Sequence, residues 1–282
     1  KQVTIPSSVK LIDKNAFHNC ASLDEIIIPS SCIEIGSGAF INCSSLKNIT
    51  IHSKLTKIHE AAFQLCFSLK QITIPSLVEE IGDCAFVNCS SLTKISIQSK
   101  LTKINLATFA SCFSLKEITI PSSVKLIDKY AFKDCTSLEK IVIPSSVEEI
   151  GSYAFMNCSS LRNISNHSHL KRIEQYTFCD CTSLVNIKLC FSLKIIEEGA
   201  FGRCTSLKSI SLPSSVKEIG NFSFAQCESL EQIYIPSSVE SIGYGAFMKC
   251  NSLKKIKIPP KIKTIEEKAF YHCSSLTSIK IP

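Results

Sequence analysis

Residues 135–157 read CTSLEKIVIPSSVEEIGSYAFMN, and Cys158 opens the same phrase again. Cysteines recur every 23 residues from Cys20 to Cys273. Ser stands two residues after each, and Leu three after, from Leu23 to Leu276. Ile stands fifteen after, from Ile35 to Ile265, and Phe three before, from Phe17 to Phe270. These columns have no exceptions, so the 282 residues are an internal repeat before they are anything else. The chain is read as a single domain spanning 1–282, with twelve units and a partial one.

A unit of this length cannot fold alone. Its inward residues are Cys135, Leu138, Ile141, Ile143, Val147, Ile150 and Phe155. Each contributes roughly 1.5–3 kcal/mol when fully buried. Ordering the backbone costs about 1–2 kcal/mol per residue. Stacked units cover each other's faces and share backbone hydrogen bonds, so the array is stable as a set. An inserted residue would put every apolar column out of register.

Within one coil, the Ile-x-Ile of SLEKIVI alternates with period two and predicts a short strand with both aliphatics facing in. Pro follows it in most units, from Pro6 to Pro282. Proline lacks a donor, so it ends ladder pairing and starts a turn. SVEEI then crosses the back with Val147 and Ile150 inward. Gly, Asp or Asn often follows that Ile, a signal for a turn with positive φ. SYAFMNC predicts one short helical turn that drops Phe155 into the core. All units run the same way, so about thirteen strands must lie parallel.

The pattern L-x-x-I-x-I-P-S-S-V-x-x-I-G-x-x-A-F-x-x-C-x-S resembles the BspA-like, or Treponema-type, leucine-rich repeats over the whole chain. The resemblance implies an α/β repeat solenoid, a right-handed leucine-rich-repeat superhelix. Its parallel strands would form the concave face, with short strands and helical turns on the convex side. It also implies a surface or secreted protein of host-associated bacteria or mucosal protozoa, used for adhesion. The motif is structural, so it assigns no binding residue. Lys1 and the final IKIP both fall in mid-unit, which is read as a fragment of a longer array.

Sixteen cysteines would suggest disulfides in a secreted chain. The periodic column argues otherwise. Its members lie about 4.8 Å apart, beyond the Cβ separation of about 3.5–4.5 Å that a bridge prefers. Free buried thiols are expected there, and Cys32 in the Val column is expected in the core. Cys84, Cys179 and Cys190 are off the pattern. Cys190 occupies the Pro slot and is the expected reactive thiol.

Chemistry has no evident place. There is no Gly-rich phosphate loop, no G-x-S-x-G and no H-E-x-x-H. No insertion exists to gather groups around a substrate, so no catalytic residue, cofactor or metal is expected. His167 and His169 bracket a Ser but read as polar turn residues. Glu79–Glu80, Glu148–Glu149 and Glu197–Glu198 read as solvation of the back wall. No apolar run is long enough to cross a membrane. Seven N-x-S/T sequons lean slightly toward secretion. Asn166 interrupts an aliphatic inward column, so a local distortion is expected near 163–170.

Function must then lie on outward positions of the strand face, where Ile27, Val142, Val185, Lys188, Tyr234, Lys257 and Lys280 stand out. The candidate ligand-binding residues are Tyr234, Lys188, Lys254, Lys255, Lys257 and Lys280. An exposed Tyr among polar groups is a common anchor. The net charge of +7 gathers near the C-terminal end. It suits a host or microbial surface protein or an anionic glycan, and no motif favours nucleic acid. The reading is a non-enzymatic cell-surface or secreted adhesin, with an intracellular protein–protein interaction scaffold in the cytoplasm as the alternative.

Overall fold

The 23-residue period becomes a parallel β-solenoid in the computed structural model, which describes residues 2–52, 54–166 and 168–280. The chain divides into two compact units, Lys1–Leu138 and Glu139–Pro282. In each, a coil contributes one long and one short strand to two parallel ladders.

In the first unit the long strands are Gln2–Thr4, Glu25–Ile28, Asn48–Ile51, Gln71–Ile74 and Lys94–Ile97. They pair in sequence order, residue on residue 23 apart: Ile26↔Ile49, Ile72↔Ile95. The next coil makes only a bridge, Lys94↔Glu117, so twelve long strands form among the described residues where thirteen are expected. Nothing in the text of that coil distinguishes it. In the second unit the strands are Lys140–Ile143, Asn163–Asn166 and Asn186–Ile187, then Ser209–Ser211, Gln232–Tyr234, Lys255–Lys257 and Ser278–Lys280. Two-residue strands such as Lys57–Ile58 and Glu218–Ile219 make the other ladder. Glu25–Ile28 alternates exposed and buried, which follows from side chains pointing to opposite faces.

The core is a set of files, one per column. Phe40, Phe63 and Phe86 are fully buried. Successive rings stack with centroids 5.3 Å apart and planes within 11°, the offset arrangement aromatic quadrupoles favour. The cysteines form a parallel file. From Cys43 on, the Sγ donates to the Phe carbonyl 26 residues earlier in coil after coil, as Cys66 to Phe40 at 3.2 Å and Cys204 to Phe178 at 3.2 Å. The same Phe40 oxygen accepts Cys43 N–H at 3.2 Å, so both lone pairs are used. The Pro-Ser-Ser phrase has a similar logic. Val147 N–H donates to Pro144 O at 3.1 Å to close the turn, and the second Ser reaches back a coil, as Ser238 Oγ to Val216 O at 2.6 Å.

The expected helical turn is not one, and no helix exists among the described residues. Phe17 N–H donates to Ala39 O at 2.7 Å, while Ala16 and His18 N–H donate three residues back. Alternate amides thus leave the coil for its neighbour, and no i→i−4 ladder can form. This alternation needs left-handed residues at two places per coil. They lie five residues before and one residue before each column Cys, for example Ala61 (φ 54) and Leu65 (φ 61). The expected site of positive φ, just after the back-face Ile, is wrong. A Cβ at Gly36 would meet Lys14 N at 2.7 Å; glycine there serves close approach between coils.

The distortion expected near 163–170 is absent from the register. Asn163–Asn166 pairs residue for residue with Lys140–Ile143, because backbone groups pair whatever the side chain. The ladder thins on the other side, to Asn163↔Asn186 and Ile164↔Ile187. The Asn166 side chain and His167 lie outside the described residues.

Candidate functional site

Burial alternates along strands such as Glu25–Ile28, Lys140–Ile143 and Lys255–Lys257, and the last strand, Ser278–Lys280, is exposed throughout, so the residues four, five and seven after each Cys lie on the outward positions of the strand face. Tyr234, the aromatic member of the six candidates, is 66% exposed and follows buried Ile233 on Gln232–Tyr234. Ser211 pairs with Tyr234, Gln232 with Lys255, Lys255 with Ser278, and Lys257 with Lys280. Lys188, just beyond Asn186–Ile187, is exposed, as are Lys254, Lys255, Lys257 and Lys280. Ile27, Val142 and Val185 are exposed as the alternation requires. Glu231, Gln232, Ile233, Tyr234, Lys254 and Lys255 line a shallow groove of about 460 Å³.

In Glu139–Pro282 these outward positions hold Lys140, Arg162, Lys188 and Lys208, then Lys254, Lys255, Lys257 and Lys280. They are opposed only by Glu139 and Glu231, an excess of six in a chain of net charge +7. From Cys20 to the end of the first unit the same positions hold Lys47, Lys70, Lys94 and Lys116 against Asp24, Glu25 and Glu117. Among the described residues Lys254 is paired with Glu231 at 3.1 Å, whereas Lys188, Lys208, Lys255, Lys257 and Lys280 have no carboxylate partner.

The back walls differ. There charges answer one another between coils: Lys57 with Glu80 at 3.5 Å, His59 with Glu34 at 2.9 Å, Lys103 with Asp128 at 3.2 Å, and Arg172 with Glu197. Lys263 donates to Glu240 at 2.6 Å and holds that carboxyl below its ordinary value. Glu79–Glu80 and Glu148–Glu149 are exposed as expected. Glu197–Glu198 differ, because Glu198 accepts from the Tyr176 hydroxyl at 2.5 Å. Two further grooves lie on these walls, one of about 530 Å³ beside His169 and Arg172, one of about 420 Å³ beside Lys103 and Asn105. Both mix cations and carboxylates. His167 lies outside the described residues, and the described residues contain no group of three His, Cys, Asp or Glu placed to hold a metal.

All sixteen thiols are free. Cys190 is the main correction: it is 9% exposed and its thiol donates to Leu170 O at 3.1 Å. The slot was misread as surface, yet Pro29, Pro75, Pro236 and Pro259 are buried in it. Cys32 is in the core and Cys179 is buried; Cys84 is half-buried. Cys20, in the first full coil, is the one exposed member of its column. Burial pushes the Cys112 thiol up from 9.0 to about 12 and raises Cys89 and Cys135 well above their ordinary value. Phe191, at 83% exposed, was missed. Its signal was a Phe in the slot where other coils place the first, outward Ser.

The sequence profile described as the BspA type leucine-rich repeat region matches in six copies, over residues 1–116, 102–217 and 183–282. A leucine-rich repeat protein from Bacteroides ovatus is similar at 34% identity and TM-score 0.61, over 100% of this chain and 83% of that one. A leucine-rich cell surface protein from Faecalibacterium prausnitzii is similar at 28% identity and TM-score 0.58, over 99% and 78%. The pneumococcal vaccine antigen PcpA is similar at 25% identity and TM-score 0.62, over 100% and 89%. Curated protein sequences give no match.

Proposed function

The chain belongs to the BspA-type leucine-rich repeat family, and from that premise we propose that it is a non-enzymatic binding scaffold displayed at a cell surface or secreted. It works as an adhesin that grips a host or microbial surface molecule with its long-strand face. The observation that carries this reading is the concentration of unpaired cations around Tyr234 on a face whose backbone the ladders hold rigid. On the back walls several charges pair with neighbouring coils instead. A cell surface protein among the similar structures supports the location. Read as one domain over 1–282, the chain offers this face as its working surface.

Free thiols suit a reducing compartment and so favour the intracellular alternative. Their burial weakens that support, since a thiol that is buried, hydrogen-bonded and raised in pKa presents little thiolate to an oxidant. The test is adherence of beads coated with the 282-residue chain to epithelial cells. With Lys255, Lys257 and Lys280 changed together to Glu, bound beads should fall at least about tenfold. Unchanged adherence removes this face from the account.

A further inference from the structure

Resting on the binding-face reading above, we propose that the strand face of Glu139–Pro282 takes a linear sulfated polysaccharide, laid across the strands rather than along them. Lys188, Ser211, Tyr234, Lys257 and Lys280 occupy one outward column, each 23 residues from the next. The pairings Ser211↔Tyr234 and Lys257↔Lys280 place column members on adjacent strands. Neighbouring strands lie about 4.8 Å apart, close to the advance of a polysaccharide per sugar ring. A chain crossing the strands therefore meets a side chain of this column at each ring.

The chemistry of the column is that of a sulfated sugar chain. Lys257 and Lys280 lie side by side in register, a like-charge pair that is unfavourable without an anion between its members. Tyr234 offers a ring face against which the apolar face of a sugar can pack. The groove at its foot places the Gln232 amide and the Lys255 ammonium beside it, donors for hydroxyl and sulfate oxygens. Lys254 is held by Glu231 at 3.1 Å, so it frames the groove and leaves Lys255 to the ligand. An acidic polypeptide fits less well. What is offered is the face of a sheet, with its backbone groups used in the ladders, so an extended peptide cannot add as a strand.

The test uses the whole 282-residue chain and heparin of defined length, with binding read by calorimetry. The expected result is saturable binding that weakens about tenfold or more from about 0.05 M to about 0.3 M salt. Lys255, Lys257 and Lys280 changed together to Glu should abolish it, and Tyr234→Ala should weaken it about tenfold. Lys171, Lys194 and Lys217 of the back wall, changed together to Glu, carry the same charge change and should leave affinity within about twofold. Thermal unfolding of each variant confirms that it is folded.

Equal loss in the two triple variants means a response to net charge alone and overturns the proposal. So does equal binding of heparin stripped of its sulfates. Binding of poly-glutamate with none of heparin also overturns it, while leaving the adhesive reading intact. Conversely, heparin binding lost in the strand-face variant together with unchanged bead adherence upholds this inference and strikes the adhesive role.

Discussion

Ala61 has φ 54, and its N–H donates to Asp83 O at 2.8 Å in the next coil. A left-handed backbone costs a residue with a Cβ about 1–2 kcal/mol. The hydrogen bond to the neighbouring coil holds the residue there regardless. Gly38, Gly199 and Gly245 sit at equivalent places, and Tyr153, Tyr176 and Lys268 at others, so coil-to-coil bonding rather than residue type sets the conformation. Ala61→Gly should therefore stabilise the protein, by up to about 1 kcal/mol once the entropy of glycine is counted. Ala61→Val should destabilise it by more than about 1 kcal/mol, since a branched side chain tolerates that region poorly. Urea unfolding of both variants checks this. A Gly variant less stable than the parent would show that the strain argument is wrong.

At the scale of the element, each file is only as strong as its continuity. Phe63 lies fully buried between Phe40 and Phe86, 5.3 Å from each. Phe63→Ala removes a ring from the middle of a stack whose spacing the ladders fix, so the cavity cannot close. The expected loss is about 3–5 kcal/mol. Phe191→Ser, at the open turn, should change stability by less than about 0.5 kcal/mol. Equal effects would mean that the files do not organise the core. The long-strand files and the register of 23 were legible in the text, because a column without exception admits one stacking. The helical turn was misread. SYAFMNC reads as one helical turn, and only the neighbour's carbonyls show that alternate amides leave the coil.

For the whole molecule, the thiols link stability to pH. Cys112 is raised from 9.0 to about 12, first by burial. Below pH 9 folded and unfolded chains hold these protons alike, and stability does not depend on them. Above it, the unfolded chain releases protons that the folded column keeps. Stability is therefore lost as pH rises from about 9 toward about 12. The urea midpoint should be level from about pH 7 to 8.5 and fall steeply by about pH 10.5. Cys112→Ala should show a shallower fall. A disulfide reagent at about pH 8 should react quickly only with exposed Cys20, and more slowly with half-buried Cys84, whose thiol burial raises. A midpoint level to pH 10.5, or rapid reaction of many thiols, would contradict a closed sulfur file.

The sequence by itself determined the period, the parallel order, the buried columns and which side chains of the long strands face out. Equal spacing forces equal units into register, and alternation along a strand decides the facing. It also placed Tyr234, Lys255, Lys257 and Lys280 on one face. Only the tertiary structure decided that Cys190 turns inward, that the left-handed residues sit around the Phe–Cys phrase, and that Lys57, Lys103 and Lys263 of the back walls find carboxylate partners while Lys188, Lys255, Lys257 and Lys280 of the strand face do not. Those outcomes depend on atoms a full coil away, and a carbonyl 22 or 26 residues distant leaves no mark on the residue it captures.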